Sequence, residues 1–365
     1  MLPALSPSAN MAPTAGHPGL RERREVLPVK VDGGPSTKAP LEAVAPASAA
    51  AERDGYDGVM VPETIHDPFV VLTLAALATE RVELGTKVAI AFARSPMALA
   101  YTANDLQQLS GGRLVLGLGT QVKPHIERRF SMPWSRPAAR MREYVLALRA
   151  IWSAWNGGEP LSFKGEFFTH TLMNPLFCPP PNPFGAPKVM MAGVGPHMIE
   201  AAGEVADRFA CHSFTSPAYL RDVIRPALAR GAARAGRDAA DIEIAVTCYI
   251  ATGNDQAELD EAATQMRRQV AFYGSTPAYT AVLDHHGFGH LHPGLHAASR
   301  RGEWEAMGTA IDDDVLATYC VVEPPERVAA EVLRRYGGLA DRVSFYYLGA
   351  GRIDWKPIVA ELQAG

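Results

Sequence analysis

Imidazole titrates near neutral pH, so histidine is the side chain best suited to proton transfer. Three of the histidines follow apolar segments of the sequence. His66 follows a short apolar segment at 56–61, His125 follows one at 113–120, and His212 directly follows one at 208–211. Such segments are predicted to be buried β-strands. Ligands bind at the carboxyl ends of parallel strands, where the following loops meet. We therefore expect His66, His125 and His212 to lie near one ligand site.

A glycine-rich loop follows another predicted strand. Residues 193–195 read Gly-Val-Gly and precede a helical pattern at 198–206. Backbone N–H groups at the start of a helix can hold an anion such as a phosphate. Glycine also turns chains where no ligand binds, so the residues alone leave both interpretations open.

Eight apolar segments alternate with patterns of helical spacing, which predicts a parallel sheet covered by helices. The predicted strands are 29–32, 56–61, 82–92, 113–120, 188–192, 208–211, 242–251 and 342–347. The main helices are expected over 41–54, 69–79, 95–110, 132–155, 198–206, 219–235, 257–273 and 325–336, with a small hairpin over 161–168.

This alternation predicts a (β/α)8 TIM barrel with insertions, since such a barrel needs only about 250 residues. A doubly wound open sheet is the alternative. It normally carries an early Gly-x-Gly-x-x-Gly, whereas the first strand here continues into Asp32-Gly33-Gly34-Pro35. Residues 1–28, rich in Pro, Ala and Ser, are predicted to be a disordered N-terminal extension of a single domain over 29–365.

The composition limits the class of protein. Of 365 residues, 47% are apolar and the net charge is −4, so nothing points to a nucleic acid or a membrane surface as partner. The chain has no apolar run of the roughly 18 residues that span a bilayer. Four widely spaced cysteines form no Cys-x-x-Cys pair, which fits a cytoplasmic protein without disulfides.

The densest group of histidines lies at 285–296, and it raises the possibility of a metal site. The spacing matches no closed zinc motif and no cysteine lies near, so we expect a solvated loop without metal. The sequence also lacks the Gly-x-Ser-x-Gly of serine hydrolases and the P-loop of nucleotide triphosphatases.

Several runs resemble the luciferase-like monooxygenase superfamily, and within it the branch that depends on coenzyme F420, a 5-deazaflavin. The resemblance covers residues 29–349 approximately. It is carried by Arg-Val-Glu-Leu-Gly-Thr-Lys-Val at 81–88, Arg-Ser-Pro-Met-Ala-Leu-Ala at 94–100 and Ser-Gly-Gly-Arg-Leu-Val-Leu-Gly-Leu-Gly at 110–119. The run from Gly111 to Gly119 is fairly specific for the superfamily, but it separates users of deazaflavin from users of FMN less well.

The resemblance implies a homodimer of TIM barrels with the deazaflavin ring at the carboxyl ends of the strands. It implies a cis peptide bond between Lys87 and Val88 that backs the ring. The cofactor-binding residues that it implies are Glu63, Thr64, Lys87, Val88, Gly119, Thr120, Gln121, Gly193, Val194, Gly195 and Cys211.

Two positions depart from the sugar-phosphate dehydrogenases of this branch. A histidine and a glutamate form the acid/base pair of those enzymes, and the matching positions here hold Thr64 and Val122. Their substrate is therefore not carried over, and His66, His125 and His212 remain the candidates for handling a proton.

The sequence predicts an F420-dependent oxidoreductase that transfers a hydride between the cofactor and a small organic substrate. An FMN-dependent two-component monooxygenase is the alternative among enzymes. A non-catalytic deazaflavin-binding barrel is the alternative outside them, since the acid/base pair is missing.

Overall fold

The computed structural model describes residues 28–349 and 351–365. The predicted disordered extension falls almost wholly on residues 1–27, outside the described part of the chain. No helix in that described part is both long enough and apolar enough to cross a membrane.

Eight parallel strands form a closed barrel, which confirms the predicted (β/α)8 architecture. Around the barrel the order is β1-β2-β3-β5-β8-β9-β10-β12, and β12 pairs back with β1. The strands of the described residues are β1 (Lys30–Gly33), β2 (Gly58–Val61), β3 (Glu83–Thr86), β4 (Ala89–Ile90), β5 (Leu114–Gly119), β6 (Phe163–Lys164), β7 (Thr169–His170), β8 (Lys188–Gly193), β9 (Arg208–Cys211), β10 (Glu243–Ala251), β11 (Cys320–Val322) and β12 (Arg342–Tyr347).

Helices surround the barrel, and several begin where the sequence supplies a cap. Asp67 accepts a hydrogen bond from Phe69 N at the start of α2, and Ser95 accepts one from Ala98 N at the start of α3. The helices are α1 (Val44–Arg53), α2 (Pro68–Ala78), α3 (Pro96–Leu109), α4 (Lys123–Arg128), α5 (Pro137–Gly157), α6 (Pro196–Val205), α7 (Pro217–Tyr219), α8 (Arg225–Arg234), α9 (Gln256–Gly274), α10 (Thr280–Asp284), α11 (His292–Arg301), α12 (Trp304–Met307), α13 (Asp313–Tyr319), α14 (Pro325–Tyr336) and α15 (Trp355–Ala364).

The strand predicted over 82–92 is interrupted. It ends as β3 at Thr86, and the chain resumes as the two-residue β4, which pairs with β5 at Ala89 and Ile90. Between them the Lys87–Val88 peptide bond is cis, as the resemblance implied. A uniform apolar pattern cannot reveal such a break, because β4 is buried like the strand before it.

The helix predicted over 257–273 forms as α9, but it does not run alongside the barrel. Just before the start of α9, Asn254 Nδ2 donates a hydrogen bond to Arg352 O in the segment after β12. Near the end of α9, the Tyr273 ring lies 4.6 Å from the ring of His212, which follows β9. Both ends therefore lie at the carboxyl ends of strands, so α9 crosses that face. The chain returns through short helices to β11, which pairs with the last residues of β10.

Inside the barrel, five ionisable side chains form a layer at the amino ends of the strands. Fully buried Arg208 donates to Glu243 at 2.7 Å and to Glu83 at 3.0 Å. Fully buried Arg342 donates to Asp32 at 3.0 Å. Two strands separate β3 from both β9 and β12, so the contacts of Glu83 with the two arginines run through the barrel interior.

We predict that Arg342→Met lowers the free energy of unfolding by about 3–5 kcal/mol, because it leaves the buried Asp32 carboxylate without its partner. Urea unfolding of the whole chain measures this change. Arg230→Met is the matched control, since Arg230 pairs with Glu200 on the surface and such pairs contribute about 1 kcal/mol or less. Equal effects of the two substitutions would contradict a stabilising role of the interior layer.

Candidate active site at the carboxyl ends of the strands

The cis bond lies in a bulge that neighbouring strand ends hold firmly. Lys87 N donates to Val61 O at 2.7 Å, and Glu63 N donates to Val88 O at 3.3 Å. The Glu63 carboxylate accepts from Ile90 N at 2.7 Å and from Arg94 Nη1 at 2.8 Å. The structure thus directs Glu63 at the backbone of the bulge, so this side chain shapes the wall on which a cofactor would lie.

The side chain of Lys87 extends from this bulge into the barrel interior toward β12. Its Nζ lies 2.8 Å from Ser344 Oγ on β12, and Ser344 Oγ lies 3.1 Å from Thr247 Oγ1 on β10. Burial lowers the pKa of the Lys87 ammonium, and the nearby Asp32 carboxylate opposes this shift. The sequence reasoning considered only the Lys87–Val88 peptide bond; a lysine within an otherwise apolar strand was the signal for the ammonium.

The residues after β5 line another part of the mouth. A Cβ atom at Gly119 would lie 2.6 Å from Val88 Cγ2, so glycine lets the side chain of Val88 pack over this strand end. Thr120 is half-buried and Gln121 adopts a left-handed backbone with φ of 60°. Val122 and His125 are exposed, and His125 lies on α4 beyond the strand end.

The loop after β8 leads directly into α6. Gly195 is the N-cap residue, is exposed, and has open space where a Cβ would lie. Gly193 differs, because a Cβ there would lie 2.3 Å from Met198 Cγ. Val194 is half-buried between them. The start of α6 is therefore exposed, and the phosphate site expected there stays a prediction.

His212 lies within a cluster of aromatic rings. Its Nδ1 accepts a hydrogen bond from Phe214 N at 3.0 Å, which assigns the proton of the neutral ring to Nε2, 3.2 Å from the Tyr279 hydroxyl. Its ring stacks on that of Tyr279, with centroids 4.5 Å apart. Burial lowers the pKa of His212 to about 4. At neutral pH the imidazole is therefore neutral and orients the hydroxyl of Tyr279.

Tyrosines on β10, on β12 and at the end of α9 extend this cluster into a wall. The rings of Tyr249 and Tyr346 meet edge to face at 5.4 Å, and Ser213 Oγ donates to the Tyr249 hydroxyl at 3.1 Å. Tyr273 packs on both His212 and Tyr279. Sequence reasoning missed this wall, because α9 was expected beside the barrel and not across its mouth.

The other predicted residues are more scattered. His66 lies in the loop after β2, where its Nε2 is 3.2 Å from Ala39 O, and Thr64 is exposed nearby. Within the described residues, no hydrogen bond or ring contact joins His66, His125 and His212. The structure thus places His212 within the aromatic cluster, whereas His66 and His125 lie outside it in loops and helices that follow other strands.

Cys211 faces away from the barrel interior. Its neighbour Ala210 packs inside the barrel with Val115 and Met190, so the alternation of side chains along β9 places Cys211 in the layer between strands and helices. Burial raises the pKa of its thiol to about 12. Only the backbone of Cys211 is thus available to a ligand in the mouth.

The histidine-rich stretch is not the solvated loop that the sequence suggested. His292 and His296 lie on α11, and their Nδ1 atoms are 2.8 Å from Gly274 O and 3.0 Å from Ser275 O at the end of α9. His286 Nε2 is 2.7 Å from Ser216 Oγ. Among the described residues, no group of three or more His, Cys, Asp or Glu side chains is placed to hold a metal ion.

Comparison with known proteins identifies the family. The sequence profile of the luciferase-like monooxygenases matches residues 25–342. The chain belongs to the luciferase-like monooxygenase family. An uncharacterised protein of Mycobacterium tuberculosis is 52% identical over 324 residues, which cover 89% of this chain and 95% of that protein.

Solved structures of low sequence identity share the family's fold. The coenzyme F420-dependent tetrahydromethanopterin reductase of Methanopyrus kandleri superposes with a TM-score of 0.73 at 19% identity, over 92% of this chain and 96% of that one. The oxygenating component of the 3,6-diketocamphane monooxygenase of Pseudomonas putida, solved with FMN, gives a TM-score of 0.62 at 15% identity, over 92% and 96% of the two chains.

The lowered pKa of His212 makes folding stability depend on pH. Because the folded pKa of about 4 lies below the ordinary histidine value of 6.5, the unfolded chain takes up a proton here more readily. The stability due to neutral His212 is complete above pH 6.5 and is lost as the pH falls toward 4. We predict that the difference in urea midpoint between wild type and His212→Phe shrinks over this range. Carboxylates titrate alike in both proteins, so a constant difference would contradict the burial of His212.

Proposed function

We propose that the protein is an oxidoreductase that uses coenzyme F420 and transfers a hydride between this deazaflavin and a small organic substrate. The observation that carries the proposal is the bulge over Lys87 and Val88, which Glu63 and Arg94 fix at the carboxyl ends of the strands. The resemblance assigns this wall to the ring of the cofactor. Membership of the family and the likeness to an F420-dependent reductase support the assignment.

In the proposed function, separate parts of the site would hold the cofactor and meet the substrate. The bulge and Gly119 would support the ring, and the accessible start of α6 at Gly195 would receive a phosphate group. When bound, the cofactor supplies the hydride chemistry. The tyrosine wall would exclude water on the substrate side, where the Tyr279 hydroxyl, oriented by His212, would give or take the proton. In this arrangement His212 is a positioning residue.

An FMN-dependent monooxygenase is the second candidate, because a structural neighbour of comparable fold was solved with FMN. Equilibrium dialysis of the purified chain against F420 and against FMN separates the two candidates. We expect tighter binding of F420. Tighter binding of FMN would favour the monooxygenase, and binding of neither cofactor would contradict the proposed function.

We predict that Gly195→Val weakens cofactor binding by about tenfold or more and leaves the fold intact. The backbone of Gly195 is extended, with φ of −76°, and open space surrounds the new side chain, so valine fits without strain. It would nevertheless cover the start of α6. Gly157→Val is the matched control, because Gly157 also has open space but lies at the far end of α5. Normal binding by Gly195→Val would place the phosphate group elsewhere.

Turnover distinguishes an enzyme from a cofactor-binding protein. We predict that Tyr279→Phe reduces the rate with a panel of alcohols and ketones by about 10²–10⁴-fold, the usual contribution of a proton-transferring group. Affinity for the cofactor should stay unchanged, since the lost hydroxyl belongs to the opposite wall. An unaltered rate would mean that His66, His125 or the substrate itself handles the proton.

We also propose that the protein forms a homodimer through α2. This helix carries no charged residue, and its outer side chains Val70 and Leu77 are 49% and 71% exposed. Exposed apolar helix faces of this kind mark protein interfaces.

We predict that Leu77→Glu converts a dimer to monomers in sedimentation equilibrium. Trp304→Glu is the control, because Trp304 is likewise 49% exposed but lies on α12, where its ring is 5.9 Å from that of Phe272 on α9. A monomeric wild type, or a dimer that tolerates Leu77→Glu, would contradict the proposed interface.

A further inference from the structure

A cleft of about 480 Å³ lies between α7, the helix that follows β9, and the end of α14. Arg221 lies on one wall, in a π-helical turn (Leu220–Ile224) that joins α7 to α8. Arg334 and Arg335 lie on the other wall. We call this space the arginine cleft. Its volume suits a small ligand, and π-helical turns are rare and frequent at functional sites.

Polar contacts lie at both ends of the arginine cleft. At the end nearer the carboxyl face of the barrel, Ser216 Oγ is 2.7 Å from His286 Nε2, and both residues line the cleft. At the opposite end, Arg225 Nη1 donates to Leu339 O at 2.9 Å, which ties the start of α8 to the link between α14 and β12. The cleft is thus framed by helices that are held to one another.

The arginine cleft is separate from the start of α6, where the phosphate group of the cofactor is proposed to bind. Helix α8 lies between the two places. On one side of α8, Arg230 and Arg234 pair with Glu200 on α6 at 2.9 Å and 2.7 Å. On its other side, Arg225 reaches Leu339, which lines the cleft. A ligand in the cleft would therefore be a second ligand of the protein.

The charges around the arginine cleft do not cancel. None of the described residues that line it is acidic. Beside the cleft, Asp222 pairs with Arg221 at 2.8 Å. Glu331 pairs with both Arg334 and Arg335, in each case at 2.6 Å. Three guanidinium groups thus share two carboxylates, and one positive charge is left without a counter-ion in the described part of the chain.

Arg335 holds hydrogen-bond donors that no described protein group uses. Its side chain is 11% exposed, yet its one hydrogen bond within the described residues runs from Nε to Glu331. The four N–H groups on its two terminal nitrogens therefore have no protein acceptor there. Buried polar groups normally have such partners, and the planar fork of a guanidinium matches the oxygens of a phosphate or a carboxylate.

We propose that the arginine cleft binds a small organic anion through a phosphate or carboxylate group. Arg335 donates to this group from the inner part of the cleft. Arg221 and Arg334 approach it from the rim, where their side chains are 60% and 69% exposed. Charge-assisted hydrogen bonds of this kind are strong and directional. The proposed oxidoreductase function does not require this site, so each proposal can fail without the other.

Isothermal titration calorimetry of the whole chain with pyrophosphate and with citrate tests the proposal, with the ionic strength held constant by sodium chloride. We expect saturable binding of at least one anion, and the tighter of the two shows whether the site favours phosphate or carboxylate. Arg335→Met should weaken this binding by about tenfold or more, because it removes charged donors. Arg221→Met and Arg334→Met should each weaken it by about threefold or more. Both replace exposed side chains, so the chain should fold even if Arg335→Met does not.

Arg327→Met is the matched control, because Arg327 is also on α14 and is 71% exposed, but pairs with Glu323 outside the cleft. It should change the affinity by less than about twofold. Gly195→Val should likewise leave this binding unchanged, since Gly195 lies beyond α8. Binding that is lost in Gly195→Val and kept in the arginine variants would overturn the proposal. Absence of saturable binding of both anions to the wild type would overturn it as well.

Discussion

The ion layer inside the barrel is the constraint on which the rest of the structure depends. Arg208 and Arg342 are fully buried, and each reaches across the interior to the Glu83 carboxylate on β3, a strand that neighbours neither β9 nor β12. A buried guanidinium is tolerable only when such partners are correctly placed. The layer therefore ties the register of β3 to those of β9 and β12. Because the strands are parallel, fixing their amino ends also fixes the height at which their carboxyl ends meet.

The bulge after β3 forms a wall at the carboxyl ends of the strands, and the fixed height of those strand ends sets its position. Glu63, two residues after the neighbouring strand β2, holds Ile90 N and Arg94 together, while the backbone of Val61 holds Lys87. Gly119 on the other side leaves room for Val88. The wall is thus shaped by residues from three strands, and the side chain of Lys87 reaches from it through the barrel interior to Ser344 on β12. A carboxylate that appeared from sequence to face a ligand serves here to hold backbone in place.

The opposite wall of the mouth comes from an insertion that the barrel pattern does not require. Helix α9 crosses the carboxyl face and brings Tyr273 against His212, and the turn after it brings Tyr279 there as well. Stacking and burial keep His212 neutral, and the hydrogen bond from Phe214 N fixes which ring nitrogen carries the proton. One wall of the site is therefore the hydrogen-bonded bulge, and the other is aromatic with oriented hydroxyl groups. In the proposed function the cofactor lies on the first wall and an organic substrate meets the second.

The sequence by itself determined the eight barrel strands, their order and the loops that carry candidate chemistry, because alternating apolar patterns and caps such as Asp67 act locally. It also contained the run from Gly111 to Gly119 by which the family resemblance was found. Only the tertiary structure decided that Glu63 faces the bulge, that Cys211 faces the helices and that Lys87 Nζ lies at Ser344 Oγ on β12. It also decided that α9 lies across the face and not beside the barrel. The reason is physical: each of these outcomes depends on contacts between residues far apart in the chain, and such contacts leave no periodic trace in the sequence.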